Sequence, residues 1–400
     1  MATNELAARR VRDTLEHGMR LFHDGLREAA MPPLTAVLGN PDGPPEFRIA
    51  AAGLLAETYR GRADFLRAER YFRTALAEAD TIPPGQRPHN EWYLHYRPRC
   101  ALGLITALRR LISPDHRTIE TELRDTRDLA RHLTIEDLTW QLAAVDAVYR
   151  RQRGDLDGAV GLLRDARDAM AGLTGFCFWY PEHVAALLLQ VQLLTRSGRA
   201  LVRRGARTLL GDASVRSWSK AVAAACCLHL TLDRLLERGA STAEFAAAAR
   251  DDSPDGAGGI LEVLEACARD ERDPLLDSEW LVLRLAWRRA AGQTGDAAQT
   301  AGALLDIARR APPILGVLRG CEMRLIIARS PAAAVEHAAV AALADHASRT
   351  LGDLGPSIAS YGYGADTVAE WARILATPGA SPHGGWLDGP LSALRCLAWP

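Results

Sequence analysis

Three pairs of ionisable side chains stand four residues apart: Glu91 with His95, His132 with Glu136, and His229 with Asp233. On a helix that spacing is about one turn, so each imidazole would lie over its carboxylate. Such a pair could share a proton or supply half of a metal site, and it equally makes an ordinary hydrogen bond. No HxxxH or HExxH completes a metal motif, and the seven cysteines at 100, 177, 226, 227, 267, 321 and 396 contain no CxxC. The stretch DDSPD at 251–255 would hold magnesium and a diphosphate only if its carboxylates projected from one helix face. Pro254 and the GAGG that follows favour a turn instead, and no partner motif of spaced Asn, Ser/Thr and Glu occurs. No metal and no cofactor are expected.

Nucleophile and phosphate chemistry fare no better. Lys220 is the only lysine among 48 basic residues, and GK[ST] and the kinase VAIK are both absent. Schiff-base chemistry could use Lys220 alone. No serine sits in GxSxG, and no Gly-rich strand-to-helix turn offers a dinucleotide cradle. What stands out is aromatic. FCFWYPEH holds Phe176, Phe178, Trp179, Tyr180 and His183; EWYLHY holds Trp92, Tyr93, His95 and Tyr96; a third set is Tyr361, Tyr363, Trp371 and Trp386. Flat rings with polar tips suit contact with a ligand, and they also seal the ends of helix pairs.

Composition bounds the partners. Hydrophobic residues make up 48% and charged residues 24% of 400, the profile of a soluble globular chain. The formal net charge is −1, and basic clusters such as Arg203, Arg204 and Arg207 are interleaved with acids, so neither nucleic acid nor an anionic membrane is an expected partner. Arginine in place of lysine, asparagine only at 4, 40 and 90, and abundant alanine point to a GC-rich, bacterial genome. An odd cysteine count without paired spacings implies reduced thiols in a cytoplasmic protein. MATNELAARRVRDTLEHGMR has no apolar signal core, and runs such as VAALLLQVQLL are too short to span a bilayer.

The elements that must position these groups are helices. Apolar residues recur at three and four throughout, which predicts sixteen to eighteen helical stretches and almost no strand. The breaks are short and rich in Pro and Gly: NPDGPPE at 40–46, TIPPGQRPHN at 81–90, SPDH at 113–116, DDSPDGAGG at 251–259 and TPGASPHGG at 377–385. The expected organisation is one body over 1–400, with a joint at 251–259 between halves 1–250 and 260–400.

Residues 54–80, LLAETYRGRADFLRAERYFRTALAEAD, carry the most informative pattern. Ala52, Leu55, Ala56 and Tyr59 share one helical face; Ala68, Phe72 and Ala75 share a second; Gly61 to Asp64 make the turn. The small residues let two backbones approach while the aromatics fill the space beside them. This unit resembles the tetratricopeptide repeat. A second copy at 140–171 keeps Ala147, Gly154, Ala159, Leu163 and Ala166 with Tyr149 displaced by one; weaker copies lie around Gly295, Asp296, Leu304 and Ile307, and around Gly198. The resemblance implies an all-α, right-handed superhelical array of antiparallel helix pairs with divergent repeats, because a lone pair leaves both broad apolar faces open and neighbours must stack.

The resemblance also implies a concave groove lined by the first helix of each pair. Its lining here would be Glu57, Arg60, Gln141, Val148, Arg151 and Gln152, with Trp179 and Tyr180 flanking it. Arg60 and Arg151 would anchor carboxylate or phosphate groups through two parallel hydrogen bonds. Three functional readings stay open. The first is a cytoplasmic interaction or regulatory protein that binds a peptide or partner protein. The second is an enzyme, for example a cyclase or isomerase, or a small-molecule sensor with an aromatic pocket. The third is a transcriptional regulator without its own DNA-binding domain, since the first fifty residues show no recognition helix.

Overall fold

In the computed structural model, the structure describes residues 2–41, 43–62, 64–111, 115–133, 136–170, 181–251, 256–271, 273–293, 297–328, 338–377, 386–388 and 390–399. Among these residues there are nineteen α-helices, one 3₁₀ turn at Arg87–His89 and no strand. No helix is long and apolar enough to cross a membrane. Contacts group the chain into two compact units, Met1–Val145 and Asp146–Pro400.

The first unit holds α1 (Ala2–His23), α2 (Arg27–Leu38), α3 (Pro45–Gly61), α4 (Phe65–Asp80), α5 (Glu91–Arg110), α6 (His116–Leu133) and most of α7 (Glu136–Gln152). From α1 to α6, each helix packs on the next, and α3 also packs on α5. The helix starts are written locally. Pro45 opens α3, where its missing N–H is not needed. The side chain of Asp64 accepts from the Arg67 N–H to cap α4, and that of Asn90 accepts from the Tyr93 N–H to cap α5.

The best repeat unit packs as its residues predict. Ala56 and Ala68 are fully buried in adjoining helices, as are Tyr59 and Phe72 nearly so. Tyr59 stacks on Tyr71 with ring centres 5.3 Å apart. Phe72 meets a third helix: a Cβ on Gly103 of α5 would lie 2.2 Å from its ring, so the glycine makes the seat for the phenylalanine. Where α3 meets α5, a Cβ on Gly53 would lie 2.8 Å from the Cys100 sulfur. Burial pushes the Cys100 thiol up to about 12, as expected of a core thiol.

The second unit runs from the end of α7 through α8 (Leu156–Met170), α9 (Pro181–Leu194), α10 (Arg199–Gly211), α11 (Ser217–Glu237), α12 (Thr242–Ala249), α13 (Ala257–Glu271), α14 (Pro274–Ala290), α15 (Ala297–Ala308), α16 (Pro313–Ala328), α17 (Ala338–Ser360), α18 (Ala365–Ala376) and α19 (Pro390–Ala398). Two layers follow from the packing. Helices α9, α11, α14 and α16 touch in succession as one row; α10, α13, α15 and α17 back them. The second repeat copy keeps its pattern: Ala147, Ala159, Leu163 and Ala166 are fully buried, and Gly154 takes φ +78° to end α7, a conformation that favours glycine. The short α12, held by a reciprocal capping box between Ser241 and Glu244, is inserted between α11 and α13. The 251–259 break lies inside the second unit; its residues 252–255, with most of DDSPD, fall outside the described residues, as do Cys177, Gly295 and Asp296.

Helix α16 departs from the amphipathic rule. Every residue from Ile314 to Ile326 is buried, because α14, α15, α17, α18 and α19 all pack on it. Yet this run contains Arg319, Glu322 and Arg324. Charges in such a place must be paired or they would not be tolerated.

Candidate functional site

Of the charges of α16, Arg324 donates through Nε to the Leu375 carbonyl of α18 at 3.0 Å, while Arg319 and Glu322 find their partners in the row beside them and in the 386–399 segment. Arg319 donates to Glu279 of α14, to Glu322 Oε2 at 2.5 Å, and through Nε to Ser278 Oγ at 3.0 Å. Glu322 Oε1 accepts from Arg395 Nη2 of α19 at 2.8 Å, and Arg395 Nη1 donates to the Trp386 carbonyl at 2.5 Å. The Arg395 guanidinium also sits 4.9 Å from the centre of the Trp386 ring. Two carboxylates and two guanidiniums thus close a buried network whose charges cancel.

His229 of α11 joins the network in a fixed tautomer. Its Nδ1 accepts from the Trp386 indole N–H at 2.8 Å, and its Nε2 faces Glu279. Because the indole can only donate, Nδ1 carries no proton, and Nε2–H donates to the carboxylate. The imidazole is therefore neutral. Burial holds its pKa below the usual histidine value, against the pull of Glu279. Burial alone would raise the Glu279 carboxyl, but Arg319 and then His229 outweigh it and hold it well below the carboxylate range.

The rest of the 386–399 segment is held through its main chain. Arg151 of α7 donates from Nη2 to the Trp399 carbonyl at 2.5 Å and from Nη1 to Gln190 Oε1 of α9 at 3.2 Å. Gln152 Nε2 donates to the Leu397 carbonyl at 3.0 Å. Asp233 Oδ1 of α11 accepts the Leu387 N–H at 2.8 Å. At the rim, Arg199 bridges Asp233 at 3.4 Å and Asp388 at 2.7 Å; Arg196 reaches Asp388 at 3.3 Å. Together α7, α9, α11, α14 and α16 each send a buried polar side chain towards this one segment or the network it completes.

Arg151 is the exception to charge balance. It is fully buried, and burial lowers its pKa to about 10. Its hydrogen-bond partners among the described residues are the neutral oxygens of Gln190 and Trp399, and its Nε makes no hydrogen bond. A cavity beside it is lined by Gln190, Cys226, His229, Glu279, Arg319 and Trp399 among apolar neighbours. It has room for about one or two waters.

The residues singled out in the sequence are dispersed. Glu57 and Arg60 pair with each other at the surface of the first unit, with Arg60 Nε donating to Glu57 Oε2 at 2.8 Å. Gln141 is buried there, as are Val148, Arg151 and Gln152 in the second unit. The polar ends of Arg151 and Gln152 are covered by the 386–399 segment. Trp179 and Tyr180, with Phe176 and Phe178, lie outside the described residues, and so do the side chains of His132 and Glu136. His229 and Asp233 belong to the site, though each turns to a different partner: Glu279 and Trp386 for one, Arg199 and Leu387 for the other. Tyr361 and Trp371 are buried, and Tyr363, beside Cys396 of α19, has its hydroxyl pKa pushed up by burial.

Glu279, Arg319, Glu322 and Arg395 were not legible as site residues. One signal was available: VLRGCEMRLII carries three charges inside a run that is apolar on every helical face. No group of three or more His, Cys, Asp and Glu side chains among the described residues could hold a metal ion. Compared with known families and curated proteins, the chain matches no family model and no curated sequence, so its likeness to the helical repeats rests on its own residues and packing.

Proposed function

We propose that the chain is a helical-repeat interaction protein of tetratricopeptide-like, right-handed superhelical form, which binds a peptide or partner-protein segment along the row α9, α11, α14 and α16. One observation carries this reading. Helices α7 and α11 place buried donors and an acceptor on the main chain of the 386–399 segment, at Leu387, Leu397 and Trp399, and α16 holds its Arg395 side chain through Glu322. Main-chain recognition by a series of side chains is how a groove reads polypeptide rather than a small molecule. The regulatory and cytoplasmic reading fits a groove of this kind and its reduced core thiols.

The experiment is to pan a library of helical peptides against the full chain and map bound peptides by hydrogen exchange. Protection on α9, α11, α14 and α16 is the expected result. Protection elsewhere, or no selected peptide at all, would count against it. A second reading, a small-molecule sensor, draws on the cavity between His229, Glu279 and Trp399. It predicts a copurifying small molecule in native mass spectrometry, and the water-sized room makes it the weaker reading.

A further inference from the structure

The 386–399 segment leaves a chemical imprint on the face that holds it. Without Arg395, the buried network would carry Glu279 and Glu322 against Arg319 alone, one positive charge short. Arg151 is the reverse: among the described residues, it is a fully buried cation with neutral oxygens for partners and an Nε without a hydrogen bond, one negative charge short. Its Nη2 touches the carbonyl of Trp399, four residues beyond Arg395. On a helix, four residues is about one turn, so one ligand can meet both demands from a single face. Between them, Trp386 and Trp399 flank His229, with ring centres 5.9 and 5.6 Å away.

From this imprint we infer that the face is a receptor for a partner peptide that ends in an arginine followed, four residues later, by an aromatic residue bearing the terminal carboxylate. The guanidinium takes the place of Arg395 on Glu322. The carboxylate takes the place of the Trp399 carbonyl on Arg151 and supplies the anion that Arg151 lacks. A carboxylate adds the attraction of opposite charges and can accept two parallel N–H bonds, so such a peptide holds Arg151 better than the resident carbonyl does. The chain's own segment is then a resident that the partner displaces. This inference rests on the peptide-groove reading above and adds the identity of the anchoring groups.

The test uses the full chain and a synthetic peptide with the sequence of residues 386–399, kept reduced, with a free carboxylate on its last tryptophan. Fluorescence anisotropy is read for wild type and for Arg395→Ala, which loosens the resident and leaves the groove side chains in place. Arg395→Ala should bind the peptide at least tenfold more tightly than wild type. Amidating the peptide, or replacing its arginine by glutamine, should each weaken binding at least tenfold, and Arg151→Gln should erase the preference for carboxylate over amide. If the peptide binds but neither change matters, the anchoring groups are wrong and the groove reading survives. If the peptide does not bind Arg395→Ala at all, both fall. Wild type gives an independent readout should that variant fail to fold. Excess carboxylate peptide should speed hydrogen exchange of the chain's own Pro390–Ala398 amides more than the amidated peptide does, and unchanged exchange would overturn the inference.

Discussion

The two units are both built of packed neighbouring helices and differ in how they treat charge. In the first, the core is aromatic on small: Phe72 in the notch of Gly103, Tyr59 on Tyr71, Cys100 against Gly53. Its ion pairs keep contact with solvent. Arg48 with Glu78 and Arg97 with Glu122 are half-covered, and Glu57 with Arg60 is more open. In the second unit, Glu279, Arg319, Glu322, Arg395 and a neutral histidine are enclosed in one network. The difference is α19. A row of helices that ends at water can leave its polar residues hydrated; a row covered by a further segment must give each one a protein partner. Buried charge here is therefore not in itself a source of stability, since well-packed hydrophobic residues often fill the same volume at little loss.

The sharpest way to break this comparison is to remove one member of the enclosed network. Arg319→Ala leaves Glu279 and Glu322 buried with only His229 and Arg395 beside them, and should cost the second unit about 3–5 kcal/mol. Urea denaturation followed by hydrogen exchange should show the loss confined to residues after 145; a loss below about 1 kcal/mol would mean that water already reaches the site. In the first unit the equal effect must come from packing. Phe72→Ala should cost about 3–5 kcal/mol by leaving a cavity over Gly103. Filling the seat instead, with Gly103→Ala, or overpacking the α3–α4 contact with Ala68→Leu, should cost about 1–3 kcal/mol. Wild-type melting in all three variants would show that the repeat is misplaced.

Acid should separate the units next. Burial, and then the neighbouring Arg216, hold His183 down to about 4, and burial also lowers His229. An unfolded histidine titrates near 6.5, so the unfolded chain takes up protons first as pH falls. The stability of the second unit should therefore be full above about pH 6.5 and decline below it, with the His183 share fully lost near pH 4. A decline on the order of 2 kcal/mol between pH 7 and 5 is expected from urea midpoints. His183→Gln should make it shallower; a pH-independent midpoint would show that both imidazoles are hydrated. The smallest effect belongs to the open pair. Glu57→Ala and Arg60→Ala should each change stability by less than about 0.5 kcal/mol, measured the same way.

Much of the fold could be read before any coordinates. The three-four period gives helices, Pro45, Asp64 and Asn90 place their starts, Gly154 ends one, and Ala56, Ala68, Tyr59 and Phe72 identify a repeat whose buried face is local in sequence. Those signals work because each depends on residues within one or two turns, or on the next helix along. The expected sixteen to eighteen helices come close to the nineteen among the described residues for the same reason.

The site was legible only in fragments. His229 and Asp233 could be flagged as chemistry, and Arg151 and Gln152 as polar groups on a first helix, from spacing alone. Their partners could not, because Trp386, Leu397 and Trp399 lie more than 150 residues further on. Nor does any local pattern say that Arg319, Glu322 and Arg395 will be enclosed together. A guanidinium reads as surface in sequence because exposure is its usual fate; whether it is buried depends on what covers it, and covering is a property of the assembled chain. The sequence determined the helices, their caps and the α3–α4 pairing; the tertiary structure alone decided which polar residues lose water, since elements distant in sequence, the 386–399 segment above all at this site, remove it.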